Sequence, residues 1–119
     1  MIKLSPIGHA IDIAQLGYRV LWIDEIKTNR AVLDALAPHA ERVYRANGRQ
    51  RATFDGGGQM KLASTGIGGV RGYAADAVFA TGDALEKHWE DILVSAATSR
   101  LDLGSRGVGP IYRLSDRVA

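Results

Sequence analysis

Tyr18 to Ile23 (YRVLWI) is a mostly apolar run rich in strand formers, and it reads as a buried strand. The sequence on either side supplies its cover. Upstream, Ser5 stands at an N-cap position and Pro6 at the first helical position, where its missing N–H costs nothing. Ile7, Ala10, Ile11 and Ala14 then recur at helical spacing, and Gly17 provides a left-handed stop. Downstream, Thr28 or Asn29 can cap a second helix carrying Ala31, Val32, Ala35 and Leu36, which Pro38 ends. Helix, buried strand, helix is the rhythm of a layered α/β domain.

Beyond Pro38 the character changes. Arg42 to Ala46 suits a short strand, and Asn47-Gly48 is a strong two-residue hairpin signal. Arg49 to Phe54 and Gln59 to Ser64 flank a second turn, Asp55 to Gly58, so residues 42–64 read as a β-meander with arginines at its exposed positions. Thr65 to Gly72 is a glycine loop, and Ala74 to Ala80 is a further strand. It leads into one long helix with Asp83 and Glu86 as a capping box and an apolar stripe of Leu85, Trp89, Ile92 and Ala96. The expected architecture is a single α/β domain over 1–103, with a central, partly parallel sheet and about three helices. Residues 104–119 form a glycine-rich tail in which Ile111 to Leu114 can add one last strand.

Composition narrows the function classes. The 119 residues are 46% hydrophobic and 24% charged, enough for one core and too short for two domains. With no cysteine, disulfide scaffolds, thiol nucleophiles and thiolate metal sites are excluded. No apolar run is long enough to span a membrane, and Met1 opens no leader-like segment, so a cytoplasmic chain without a membrane partner is expected. The net charge of +2 hides an uneven distribution. Between Arg42 and Arg71 six basic residues (Arg42, Arg45, Arg49, Arg51, Lys61 and Arg71) face one acid, Asp55. Eleven of the fifteen basic residues are arginines, whose planar fork suits phosphate. The competing explanation is a solvated face and a codon bias towards arginine.

Motifs for catalysis are incomplete. Asp24-Glu25 after the strand imitates a Walker B pair, but no G-x-x-x-x-G-K-[ST] loop occurs in the chain. Glu25-Ile-Lys27 is the E-x-K triplet of Mg²⁺-dependent nucleases, for which Asp12 or Asp76 would have to supply the second acid. Gly66 to Gly72 (GIGGVRG) misses the dinucleotide-loop register, because Arg71 takes the place of its last glycine. His9, His39 and His88 are far apart, so neither a zinc site nor any other cofactor is expected. Trp22 and Trp89 both read as core residues.

Four segments occur in a familiar order. Leu16 to Ile23 (LGYRVLWI) looks like a strand following a Walker A helix, and Arg51 to Ser64 (RATFDGGGQMKLAS) is similar to an I-x-F-x-x-G-x-x-I-x-F-x-S hairpin. Arg71 to Ala80 (RGYAADAVFA) looks like an R-G-x-x-A-D entry to a Walker B strand, and Trp89-Glu90 falls where a tryptophan often stands in the next helix. In this order residues 16–97 resemble the ATPase domain of phage terminase large subunits and related helicase-type motors. The resemblance implies a truncated P-loop-like fold that works on DNA. It begins after the place for Walker A, and Thr81-Gly82 stands where the catalytic Asp-Glu pair belongs. ATP hydrolysis is therefore not carried over, since a fold does not confer an activity.

The expectation is a non-enzymatic, phage-type, degenerate relative of a DNA-packaging or helicase ATPase. It would bind nucleic acid through Arg45, Arg49, Arg51, Lys61 and Arg71, with no metal or cofactor. One alternative is a protein-interaction module that docks on a host or viral protein and self-associates, most simply as a homodimer. The other is a small Mg²⁺-dependent nuclease built on Asp24, Glu25 and Lys27.

Overall fold

The computed structural model describes residues 6–46, 50–64, 73–97, 99–101 and 109–114. Helix α1 (Pro6–Gln15) leads into strand β1 (Arg19–Asp24) and helix α2 (Ile26–Leu36). Strands β2 (Arg42–Tyr44), β3 (Arg51–Thr53) and β4 (Gln59–Ser64) follow, then β5 (Ala77–Thr81), α3 (Gly82–Lys87), α4 (Trp89–Ala96) and β6 (Ile111–Leu114). The six strands form one mixed sheet in the order β2-β3-β4-β1-β5-β6. β4, β1, β5 and β6 run parallel, while β2, β3 and β4 form the antiparallel meander read from the sequence. The chain is thus α/β, as expected. No helix among the described residues is long and apolar enough to cross a membrane.

Strand β1 is central because its side chains satisfy two cores at once. Val20 and Trp22 point to a layer built by α1 and α2, with Met60, Leu62, Phe79 and Leu36. Leu21 and Ile23 point to the opposite layer, with Val78, Ala80, Ala84 and Ile92 of β5, α3 and α4. Successive strand side chains alternate between faces, so an uninterrupted apolar run is what a strand covered on both sides requires. On the first face Trp22, Phe79 and Tyr112 stack across β1, β5 and β6, with centroids 5.5 and 4.7 Å apart. His9 of α1 meets Phe79 and Tyr112 edge-on.

The β3–β4 turn is locked to the first helix. Gly17 adopts φ +99 and ends α1, as its position in the sequence foretells. Gly58 lies so close to this corner that a Cβ there would run into the carbonyl oxygens of Ala14 and Tyr18. A hairpin turn with a glycine at this point can therefore close on the α1–β1 connection.

Several local expectations are corrected. Neither Thr28 nor Asn29 caps α2, which starts at Ile26 with Glu25 before it. Asn29 is instead buried, and its Nδ2 donates to the carbonyls of Ala63 (3.0 Å) and Asp24 (3.4 Å), bridging the carboxyl ends of β4 and β1. The single long helix is two: His88, at φ −123 and ψ 22, separates α3 from α4. Ile92 and Ala96 are buried, while Trp89, the first residue of α4, stands 47% exposed and is not the core residue read from the sequence. Asp83 is not the cap either. Thr81 Oγ1 accepts from Ala84 N–H at 3.2 Å, and Asp83 pairs with Lys87 at 3.4 Å along the helix. By contrast, the last strand expected at Ile111 to Leu114 is present, paired in parallel with β5.

One buried carboxylate joins three separate pieces of chain. Asp76, only 2% exposed, accepts from the backbone N–H of Arg19 (2.8 Å) and of Arg100 (2.7 Å), and from Arg100 Nη2 (2.7 Å). Its own N–H donates to the Arg19 carbonyl at 2.7 Å, and Ser99 Oγ donates to its carbonyl at 2.7 Å. Arg100 Nη2 also reaches the Gly17 carbonyl at 3.1 Å. Burial opposes ionisation of Asp76, but the Arg100 side chain, the Arg100 amide and the Arg19 amide together hold its carboxyl below the usual range. A depressed carboxyl stabilises the fold above its unfolded pKa and loses that contribution as pH falls through its folded pKa. Asp76→Asn is expected to cost about 2–3 kcal/mol at pH 7, the scale of hydrogen bonds to a charged group. It should also flatten the acid side of the stability–pH profile below about pH 4. Urea unfolding at pH 7 and pH 3 measures both, and parallel profiles for the two proteins would contradict the assignment.

Candidate nucleic-acid interface

Alternation along the meander decides which side chains share its open face. Tyr44 is opposite Arg51, and Arg51 is opposite Lys61. Residues opposite one another in a ladder stand on the same side, as do residues two apart along a strand. Arg42 and Gln59 therefore join this group. The row continues into β1, where Arg19 is in register with Gln59 and Leu21, two residues on, lies in the α3–α4 layer. The face is the one on which α3 and α4 sit, but those helices pack on β5 and, for α3, on β6. Over β2, β3 and β4 there is instead a cleft of about 490 Å³.

Its lining is uniform in sign. Arg19, Arg51 and Lys61 supply three cations, Tyr44 and Tyr73 two phenols, and Gln50 and Gln59 two amides, with no carboxylate among these residues. The aromatic rings hold the cations in place. The Arg19 guanidinium lies 4.8 Å and the Lys61 ammonium 5.4 Å from the centroid of Tyr73, and the Arg51 guanidinium lies 4.4 Å from that of Tyr44. Arg42 Nη1 donates to Tyr44 Oη at 3.4 Å, and this hydrogen bond draws the Tyr44 hydroxyl below the ordinary phenol range. Burial pushes the Tyr73 hydroxyl the other way, against the pull of Arg19 beside it. Among the described residues Arg19 Nε and Tyr73 Oη are buried without a hydrogen-bond partner.

This arrangement opposes folding. Like charges directly opposite on a sheet, as Arg51 and Lys61 are, destabilise it. Neither has a carboxylate partner among the described residues, whereas Arg45, Lys87 and Arg100 each have one. A cluster of cations held by aromatic rings and left without acids is chemically suited to an anion with several oxygens, such as a phosphodiester.

The residues expected from the sequence separate into three groups. Arg51 and Lys61 are brought together as anticipated. Arg45 is not with them: its Nη1 pairs with Asp34 Oδ1 of α2 at 2.9 Å, and α2 packs on the opposite face of the sheet. Arg49 and Arg71, with the glycine loop from Thr65 to Gly72, lie outside the described residues. Arg19, Tyr44, Tyr73, Gln50 and Gln59 were missed. For Tyr44 and Gln59 the signal was available, because each stands two residues from another member of the face or opposite one. Arg19 and Tyr73 enter only through the β1–β4 pairing and the approach to β5.

The acids considered for nuclease chemistry are not assembled. Asp24 ends β1, and its Oδ1 accepts from the Glu25 N–H at 2.8 Å. Asp76 precedes Ala77, which is in register with Val20, so Asp24 and Asp76 stand at opposite ends of adjacent strands. At about 3.3 Å per residue, five residues along the strand are a separation of roughly 17 Å. Asp12 is exposed on α1, and no group of three or more metal-ligating side chains exists among the described residues. Comparison of the chain with family models, with curated proteins and with solved structures gives no match.

If the cleft is a site of unrelieved repulsion, removing one cation should relieve it. Lys61→Gln is expected to raise stability by about 0.5 kcal/mol at low ionic strength, and the gain should shrink at about 0.5 M salt, where the repulsion is screened. Urea unfolding at the two salt concentrations checks this. A variant less stable than the parent at low salt would contradict it.

Proposed function

We propose that this protein is a non-enzymatic nucleic-acid-binding domain that holds phosphates in the cleft on its β-meander. The observation that carries the reading is the convergence of Arg19, Arg51 and Lys61 on a cleft lined by no carboxylate. The resemblance of residues 16–97 to the terminase and helicase-type ATPase domain supplies the class of partner. In this reading the chain is a phage-type, degenerate relative that has Thr81-Gly82 in place of the acidic pair. Thr81 serves as a helix cap there, which is a structural use of the position. Phosphate contacts position a protein without reading sequence, so binding should be indifferent to sequence and sensitive to salt.

Fluorescence anisotropy with labelled oligonucleotides tests this. Three phosphate contacts should weaken binding about 20-fold for a single strand, or about 40-fold for a duplex, between about 50 and 200 mM salt. The double substitution Arg51→Glu with Lys61→Glu should abolish it, whereas Arg45→Glu, which breaks only the pair with Asp34, should have a much smaller effect. Unchanged binding in the double variant would overturn the proposal.

A second reading rests on a different surface. Trp89 and Val94 of α4 stand 47% and 70% exposed, an apolar exposure that suits a protein partner or a second copy of the chain. Sedimentation of the parent and of Trp89→Ser with Val94→Ser distinguishes it: a dimer lost in the variant would favour this reading.

A further inference from the structure

Resting on the nucleic-acid reading, we infer that the cleft is a single-strand site in which one unstacked base lies on the Arg51 guanidinium while its phosphate sits between Arg19 and Lys61. The Arg51 plane is backed by the Tyr44 ring at 4.4 Å, and Arg51 is itself exposed. A guanidinium held over an aromatic ring and exposed on its other side can take a base against that side. The bases of a duplex are already paired and stacked, and that face has nothing to receive from them.

Depth points the same way. Arg19 and Lys61 are half-buried and Tyr73 is buried, so the cations of β1 and β4 lie on the floor and Arg42 and Arg51 on the rim. A duplex is a convex cylinder whose phosphates meet the rim. A single strand can enter, and its phosphate can then lie between the Arg19 guanidinium and the Lys61 ammonium that line the floor. Gln50 and Gln59 each offer an amide donor and acceptor along the walls for the edge of an inserted base. The volume of about 490 Å³ is that of a small-ligand cleft, commensurate with a nucleotide and too small to cradle a helix.

The experiment compares three labelled probes of about twelve nucleotides at about 50 mM salt: an oligothymidylate, a duplex, and an abasic strand with the same phosphates. The oligothymidylate is expected to bind about tenfold more tightly than either of the others, the scale of one stacked base. Arg51→Lys, which keeps the charge and loses the plane, should remove that advantage, and Tyr44→Leu should do so independently. Duplex or abasic binding equal to that of the oligothymidylate would overturn the single-strand inference alone. Binding of none of the three would overturn this inference and the proposed function together.

Discussion

The carboxylate of Asp76 is the point on which the rest of the molecule hangs. Buried charge is expensive unless it is paired and hydrogen-bonded. Here the two oxygens are met by the amides of Arg19 and Arg100 and by the Arg100 guanidinium. That single group fastens the start of β1, the start of β5 and the segment after α4. It also reaches into the candidate site. Arg19 is tied to it through both its N–H and its carbonyl, so the backbone that delivers the Arg19 side chain to the cleft is fixed. Tyr73, three residues before Asp76, lies against that side chain.

A sheet anchored in this way is covered unequally. On one side α1 and α2 meet β1, β3, β4 and β5. On the other, α3 and α4 pack on β5 and α3 on β6, and among the described residues the meander carries the basic cleft. Arg51 opposite Lys61 is a local defect by the criterion of cross-strand pairing. Tyr44 and Tyr73 hold the cations without neutralising them, as an acid would. A fully satisfied carboxylate just before β5 thus stands beneath cations of β1, β3 and β4 that line a cleft without a carboxylate among its lining residues, an arrangement suited to a binding surface.

Much of this architecture was legible in the sequence. The run from Tyr18 to Ile23 announces the doubly covered strand, Gly17 the end of α1, and Asp55 to Gly58 the hairpin turn, because each depends on local composition. The caps were harder to read. Asn29 has the chemistry of an N-cap, but its burial between the ends of β1 and β4 gives it a tertiary role. Thr81 took the cap from Asp83, and the break at His88 put Trp89 at the first turn of a new helix, outside the core that takes Ile92 and Ala96. Of the site, Arg51 and Lys61 were visible as basic residues on strands. The Arg45 pairing was not legible, because charge counting ignores a carboxylate eleven residues away. Arg19 was hidden because its membership depends on which strand lies beside β4.

The central claim is spatial: the anion meets the meander face and no other surface. Titration of the ¹⁵N-labelled protein with a short single-stranded oligonucleotide tests it most directly, since amide shifts report where the ligand sits. Shifts concentrated at Arg19, Gln50, Arg51, Gln59, Lys61 and Tyr73 are the expected result. Shifts centred on α1 or α4, or none at millimolar oligonucleotide, would contradict the account.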